Sequence, residues 1–272
     1  MAILIVVFAL MAAGLIARGE AAGADARAYW AAVRILIGGG DPYHPTGPYM
    51  PYVYAPWMLP LFAPWALLPW DVAWFVWRGA SILLFLWTID WAYRRRPLAT
   101  AVAVALLAFP IAANLDTGNV DLWLTLGLWA AQFTGPVVAG LLWAVATWMK
   151  WFPAPFWLIL APRSRGWGLV WLALSGTLSV LLLPLTILQL QALFGFGPRP
   201  IRLDYLVFLW ALVPWFWRHP GALWWLAPSE WPALRGRLAT AIGRWGRGWR
   251  EDPRLMVARS RARFRRLVGL EA

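Results

Sequence analysis

The chain has 272 residues, of which 62% are hydrophobic and 13% charged, and it contains 24 tryptophans and no cysteine. Soluble domains are about 45–50% apolar and about 25% charged, so this composition excludes an ordinary soluble domain and predicts a polytopic membrane protein. The formal charge of +12 does not indicate nucleic-acid binding, because the basic residues cluster in loops beside apolar segments and in the C-terminal tail, as the positive-inside rule expects. Without cysteine there are no disulfides or thiolate sites. The two histidines are far apart in sequence, which argues against a His-rich metal centre.

The first elements are an apolar segment and a long loop. Residues 2–17 predict an uncleaved membrane span, because no basic residue precedes them and the following sequence is itself hydrophobic. Residues 18–70 form the loop. Within it, residues 25–37 have helical spacing, and Gly38-Gly39-Gly40 ends that helix. Repeated prolines then exclude a long regular helix, and the interspersed tyrosines and tryptophans suit a membrane–water interface.

The middle of the chain predicts a series of membrane segments. Residues 71–92 form a clear span, and the basic run at 93–97 that follows indicates a cytoplasmic end, which places the 18–70 loop outside. Several later segments are shorter than the roughly 20 residues that a span needs, so some are expected to be re-entrant or buried against neighbours. The prediction is an all-α membrane bundle of about seven to eight spans or partial spans, with further segments at 98–113, 120–133, 137–149, 154–161, 167–189 and 203–217.

The C-terminal tail has a different composition, which divides the chain into a membrane domain of residues 1–217 and a basic cytoplasmic tail of residues 218–272. One helical face of the tail collects apolar side chains, and arginines flank it. This pattern predicts an amphipathic helix that binds anionic lipids, and Asp252-Pro253 predicts the capped start of a second one. The apolar face consists of Leu234, Leu238, Ile242, Trp245 and Trp249.

Asp25 is the main candidate for a catalytic carboxylate. It follows the first span at the start of a predicted helix, where a carboxylate commonly serves as a helix cap or complements the helix dipole. The functional interpretation is a general base at the outer membrane surface, which takes the proton from an acceptor hydroxyl as that hydroxyl attacks an activated carbon.

Other polar residues in the first half also have two interpretations. Asp41 precedes a proline and is most simply a turn residue, and His44 is either a loop histidine or a hydrogen-bond partner of a phosphate or sugar. Asn119 stands between Asp116 and Asp121 in a polar break at a span boundary. This break fits a cavity lining or the bundle interior, and it fits equally an ordinary helix N-cap at residue 116 or 117.

Three cations are expected on the outer face. Lys150 ends an apolar segment, so it is either a snorkelling lysine or a phosphate contact. Arg199 and Arg202 lie in a later outer loop and are alternative phosphate ligands, although solvated loop arginines are the more common case.

An ordered set of motifs resembles a known family. An early span precedes Asp25-x-x-x-Tyr29, Gly-Gly-Asp41-Pro42-Tyr43 and Tyr52-x-Tyr54-x-Pro56, and these are followed by Gly118-Asn119-Val120-Asp121, Ala139-Gly140 and Lys150-x-x-Pro153. In this order, over roughly residues 1–180, they resemble the GT-C membrane glycosyltransferases that use polyprenyl-phosphate sugars, and glycosyltransferase family 87 in particular.

The resemblance implies an inverting sugar transfer at the outer face of a bacterial-type cytoplasmic membrane, without a metal or other cofactor. It assigns the catalytic base to Asp25. The substrates implied are a polyprenyl-phosphate sugar, with mannose as a candidate sugar, and a glycan or glycolipid acceptor. The expected substrate-binding residues are Tyr29, Asp41, Tyr43, His44, Asn119, Lys150, Arg199 and Arg202.

Two departures from the family pattern keep an alternative open. Family members are usually longer, with further spans where this chain has its basic tail, and the polar break has Gly-Asn in place of the more usual Gly-Gln. The alternative is a non-catalytic scaffold or accessory subunit that keeps a GT-C-like fold and binds lipid or a partner complex. A transporter is a weaker interpretation, because the chain has no inverted repeat and little intramembrane charge.

Overall fold

The computed structural model describes residues 1–18, 22–195, 202–219, 240, 243–244, 247 and 251–267, and over these residues the regular secondary structure is entirely helical. The all-α prediction is therefore confirmed. The first half contains a 3₁₀ helix at Pro56–Met58 and the helices α1 (Ala2–Arg18), α2 (Ala24–Ile37), α3 (Leu59–Ala66), α4 (Trp70–Tyr93), α5 (Pro97–Leu106), α6 (Ala108–Thr117) and α7 (Asp121–Ala131).

The second half alternates α-helices with 3₁₀ helices. The α-helices are α8 (Pro136–Met149), α9 (Pro162–Leu181), α10 (Leu183–Gly195), α11 (Val213–Arg218) and α12 (Pro253–Leu267), and the 3₁₀ helices are Ala154–Ile159 and Leu203–Leu212. The segment at 154–161, which is too short to span by itself, is thus a 3₁₀ turn between α8 and α9.

The helices differ in whether they are long and apolar enough to span a membrane. Among the described residues, α4 is the one helix that is long and apolar enough to span a membrane by itself, and the number rises to three if the bent pairs α5–α6 and α9–α10 each form one span. Helices α1 and α8 are apolar but shorter. The expected seven or eight spans are therefore not confirmed by helix length, and that number stays a prediction.

The two bent pairs break at positions that follow from the chemistry of proline. Residues 167–189 were expected to form one continuous span. In the structure, α9 ends at Leu181 and α10 begins at Leu183, and the two helices meet at an angle of 99°. Pro184 has no amide hydrogen and its ring crowds the carbonyl four residues earlier, so the helix cannot continue through it. Pro110 has the same effect after Leu106, where α5 and α6 meet at 59°.

The polar break is mostly helical. Asp116 and Thr117 belong to the last turn of α6, so their interpretation as N-caps is wrong. The helix ends instead at Gly118, whose φ of 69° is a left-handed cap that glycine adopts without strain. The short connection to α7 therefore starts at Gly118 and brings Asn119 directly behind it.

The 3₁₀ helix Leu203–Leu212 is a buried element of the core. Val207, Phe208 and Trp210 are fully buried, and the helix packs against α6 and α7. Trp210 donates its indole N–H to Thr88 Oγ1 of α4 at 2.9 Å. Because this segment enters the bundle between α6 and α7, it carries Asp204 to the same end of the fold as the α6–α7 connection.

The tail is described only in part. The start of α12 confirms the predicted N-cap, because Asp252 Oδ1 accepts a hydrogen bond of 2.9 Å from the Leu255 backbone nitrogen. Met256 is buried, while the neighbouring arginines are exposed. The apolar face predicted for the preceding helix, residues 234 to 249, lies outside the described residues, and the binding of anionic lipid to the tail stays a prediction.

Candidate functional site

The start of α2 is held against the end of α6. Gly23 precedes α2 with a φ of 82°, and its backbone nitrogen donates to the Asp116 carbonyl oxygen at 2.7 Å. Asp25 follows in the first turn of α2 as a half-buried residue. A carboxylate in a first turn is favoured by the helix dipole, so the local sequence accounts for its place, and the contact with α6 decides what it faces.

Asn119 is the hydrogen-bond partner of the Asp25 carboxylate. Its side-chain Nδ2 donates to Asp25 Oδ2 at 3.1 Å, across 94 residues of sequence. Its Oδ1 accepts from the Asp121 backbone nitrogen at 3.1 Å. Among the residues that the structure describes, no other hydrogen bond or ion pair reaches Asp25, so its Oδ1 remains open.

Gly118 lies in close contact with the first turn of α2 and with α4. A Cβ built on it would lie 2.6 Å from the Ala26 Cβ and 2.7 Å from a ring carbon of Trp74. With the positive φ, these contacts restrict the position to glycine. The α6–α7 connection can therefore lie directly against the first turn of α2, which is the approach that Asn119 needs to reach Asp25.

Two buried tyrosines lie near the carboxylate. The hydroxyls of Tyr29 and Tyr54 share a hydrogen bond of 3.4 Å, and the Val120 backbone nitrogen donates to the Tyr29 hydroxyl at 3.4 Å. Burial raises the pKa of Tyr29 above its ordinary value, and Tyr54 and Asp25 add to the effect. Burial also raises the pKa of Tyr54, although nearby Lys150 lowers it in part. Both hydroxyls therefore stay protonated and neutral.

Lys150 forms a buried ion pair. Its Nζ lies 3.3 Å from Asp121 Oδ1, and the exposed fractions of the two side chains are 16% and 0%. The ammonium also lies 5.5 Å from the ring centroid of Tyr54 and 5.2 Å from that of Tyr205. The lysine predicted as a phosphate contact is thus already neutralised by a carboxylate and enclosed by aromatic rings.

Arg202 forms a second ion pair at the same end of the fold. Its guanidinium contacts Asp204 through Nη2 at 2.9 Å and Nε at 3.2 Å, and its side chain is half-exposed while Asp204 is buried. Burial by itself would lower the pKa of Arg202, but the carboxylates of Asp204 and Asp25 raise it above its ordinary value. The influence of Asp25 places Arg202 in the electrostatic neighbourhood of the open carboxylate.

The Asp41–His44 turn is built from local contacts. Asp41 Oδ1 accepts from the Tyr43 backbone nitrogen, and Asp41 Oδ2 lies 2.8 Å from His44 Nδ1. Tyr43 is fully buried and donates its hydroxyl to the Tyr54 carbonyl oxygen at 3.1 Å. The structure therefore joins Tyr43 to the site through the backbone of Tyr54, and it leaves His44 exposed. Arg199 lies outside the described residues.

A pocket of about 190 Å³ opens beside the first two turns of α2. Ala24 and Ala28 form its helical wall, and Tyr49 and Met50 face them from the loop. Arg27 also lines it, with its guanidinium 4.7 Å from the Trp70 ring centroid. The pocket therefore lies on the same helical turns as Asp25.

Several residues of this cluster were not predicted as site residues. Asp121 and Tyr54 lie within the quoted motifs, but neither spacing nor residue type showed that they meet Lys150. Asp204 and Tyr205 follow Arg202 directly, and the Arg-x-Asp spacing was the available signal. Among the described residues, no group of three or more His, Cys, Asp or Glu is placed to hold a metal ion.

Comparison with known proteins identifies a family. The family model described as glycosyltransferase family 87 matches residues 52–259, whereas no curated protein and no solved structure matches. The match includes Asn119, Lys150 and Arg202, and it begins after Asp25 and Tyr29. Because it covers well over half of the chain, and because the order of motifs predicted the same family, the protein belongs to glycosyltransferase family 87.

Proposed function

We propose that this glycosyltransferase moves a sugar from a polyprenyl-phosphate donor to a hydroxyl of a glycan or glycolipid acceptor at the outer face of the cell membrane, with Asp25 as the general base. Membership of the family supplies the sugar transfer. The lipid-phosphate donor, the acceptor, the membrane face and the base are parts of the proposal. Mannose is the candidate sugar.

The observation that carries the proposal is the difference between Asp25 and its neighbouring carboxylates. Asp121 is fully buried and paired with Lys150, and Asp204 is buried and paired with Arg202. Asp25 is half-buried, and its one hydrogen-bond partner among the described residues is the neutral amide of Asn119. A general base needs an accessible oxygen that no cation already occupies, and Asp25 meets both requirements.

The orientation of α4 supports an outer location. Gly23 lies close to the rings of Trp70 and Trp74 at the first turns of α4, so Asp25 is near that end of the helix. The basic run Arg94-Arg95-Arg96 follows the other end. The 24 residues of α4 have a length of about 36 Å at 1.5 Å per residue, which exceeds the roughly 30 Å of a bilayer core. With the arginines in the cytoplasm, Asp25 lies outside.

The proposed reaction is a single displacement. The acceptor hydroxyl transfers its proton to Asp25 Oδ1 while its oxygen forms a bond to the anomeric carbon. The bond between that carbon and the phosphate oxygen breaks, and its electron pair leaves with the lipid phosphate, which inverts the anomeric configuration. Arg202 uses its remaining N–H groups to stabilise the charge that develops on the phosphate.

The proposal is tested with the full-length protein in proteoliposomes, supplied with polyprenyl-phosphate mannose or other polyprenyl-phosphate sugars and a membrane lipid extract as acceptor. Asp25→Asn keeps the shape of the side chain and removes the base, so sugar transfer should fall by about 100- to 10,000-fold. Asp90→Asn is the matched control, because Asp90 forms an exposed pair with Arg94 at the other end of α4, and it should transfer at the wild-type rate.

Two results would contradict the proposal in different ways. Wild-type transfer by Asp25→Asn would show that another group is the base. Failure of the wild-type protein to use any donor of the panel would contradict the lipid-phosphate donor and favour the non-catalytic scaffold.

A further inference from the structure

We propose that Asn119 is a positioning residue that holds the Asp25 carboxylate in one orientation, so that Oδ1 faces the acceptor. This inference rests on the proposed role of Asp25 as the base. It gives Asn119 a role other than the direct substrate contact that the family resemblance implies.

The first argument is that both polar atoms of the Asn119 side-chain amide form hydrogen bonds. Its Nδ2 donates to Asp25 Oδ2, and its Oδ1 accepts from the Asp121 backbone nitrogen, each at 3.1 Å. Only 5% of Asn119 is exposed. The bond to the Asp121 backbone fixes which end of the amide is the donor, because a reversed amide would place two donors against each other. Asn119 therefore presents an N–H group to Asp25.

The second argument is that Asn119 and the residues on either side of it are held by three contacts. Its nitrogen donates to the Asn114 carbonyl oxygen at 3.2 Å. Gly118 is wedged against Ala26 and Trp74, and the buried pair of Lys150 with Asp121 ties the start of α7 to the end of α8. A donor held this firmly can orient a flexible carboxylate, which by itself rotates about its χ2 torsion.

The consequence concerns the rate of transfer more than binding of substrate. A base must lie within hydrogen-bond reach of the proton that it takes, and small displacements of a reacting group have large effects. Without the Asn119 donor, Asp25 would occupy several orientations, and a smaller fraction of bound acceptor would meet an aligned oxygen.

The test is a comparison of Asn119→Ala and Asn119→Asp with the wild-type protein in the proteoliposome assay. Asn119→Ala should lower kcat by about 10- to 100-fold, with KM for donor and acceptor nearly unchanged. It should also shift the acidic limb of the pH–rate profile to higher pH, because a carboxylate that loses a hydrogen-bond donor is more easily protonated. Asn119→Asp should shift it further, because it places a second negative charge beside the first.

The other ionisable groups near Asp25 are unchanged in these variants. Among the described residues they are Tyr29 on α2, Tyr54 in the long loop, Asp116 on α6, Asp121 on α7 and Arg202 before the 3₁₀ helix. Because they are common to all variants, a shift of the profile reports the contact between residues 119 and 25.

Thr125→Val is the control for a simple loss of buried polarity. Thr125 is fully buried on α7 and donates to the Asp121 carbonyl oxygen at 2.7 Å, with no contact to Asp25. This variant should lower the midpoint of thermal unfolding without moving the pH profile. If Asn119→Ala does not accumulate in the membrane, Asn119→Ser, which retains a small polar side chain, is measured instead with the same expectations.

A wild-type kcat and an unmoved acidic limb in the Asn119 variants would overturn the inference. So would a selective rise in KM for the donor or acceptor, since that result indicates direct substrate binding. If Asp25→Asn is inactive while the Asn119 variants behave as wild type, the positioning role alone fails. If Asp25→Asn is active, the base assignment itself fails.

Discussion

The segment of residues 18–70 contains two acidic sites that differ in the range of their contacts. Asp41 interacts with Tyr43 and His44, two and three residues away. Asp25 interacts with Asn119, 94 residues away. The contacts of Asp41 are all within one turn, whereas the contact of Asp25 forms only when α2 and the α6–α7 connection pack together.

This difference supports the proposal that Asp25, and not Asp41, is the base. The Asp41 carboxylate uses both oxygens in its own turn, so we expect it to act as a structural group. In the part of the chain that the structure describes, the Asp25 carboxylate keeps one oxygen without a hydrogen-bond partner, and the nearby Lys150 and Arg202 are neutralised by other carboxylates. Like the variants of Asp25 and Asn119, substitutions at Lys150, Gly118 and His44 test this contrast between long-range and local contacts.

The largest expected effect on stability comes from the buried long-range pair. Lys150→Met leaves the fully buried Asp121 carboxylate without its cation, and breaking a buried pair in this way costs about 3–5 kcal/mol. Thermal unfolding in detergent should show a strongly lowered midpoint. The double variant Lys150→Met with Asp121→Asn removes both charges and should recover most of the loss. If Lys150 served only to bind phosphate, its loss would instead raise KM for the donor and leave the unfolding midpoint unchanged.

A pair of glycines gives the next effect. Gly118 and Gly39 both have positive φ, 69° and 78°, but a Cβ on Gly118 would overlap Ala26 and Trp74, whereas a Cβ on Gly39 would meet nothing within 4 Å. Gly39→Ala should therefore cost about 1 kcal/mol for backbone strain alone. Gly118→Ala should cost about 1–3 kcal/mol more and should also slow transfer, because it displaces Asn119. Equal losses of stability in the two variants would contradict the close approach at Gly118.

The smallest effect is expected at the local site. His44 and Asp41 form a pair whose side chains are 52% and 32% exposed, and exposed pairs contribute about 0–1 kcal/mol. His44→Ala should leave unfolding and transfer close to the wild-type values. A rise of KM for the donor in this variant would establish His44 as the substrate contact that the family resemblance implies, and would show that the local turn also takes part in binding.

Predictable features of the fold are those that depend on neighbouring residues. The helical spacing of residues 25–37, the glycines after them and the Asp252 cap all appear in the structure close to where the sequence places them. The break at Leu182 shows the limit of hydrophobicity as a guide, because the apolar run continues through it, and Pro184 is the local signal that predicts the bend.

The sequence by itself determined the all-α class and the family, and it supplied the hypothesis that Asp25 is the base, because composition, periodicity and ordered motifs are properties of the chain alone. The tertiary structure decided which partners the ionisable groups have. Asn119 meets Asp25, and Lys150 meets Asp121, only because α2, α6, α7 and the end of α8 converge. Such contacts join residues that are far apart in sequence, so no local propensity encodes them; the packing of the helices selects them.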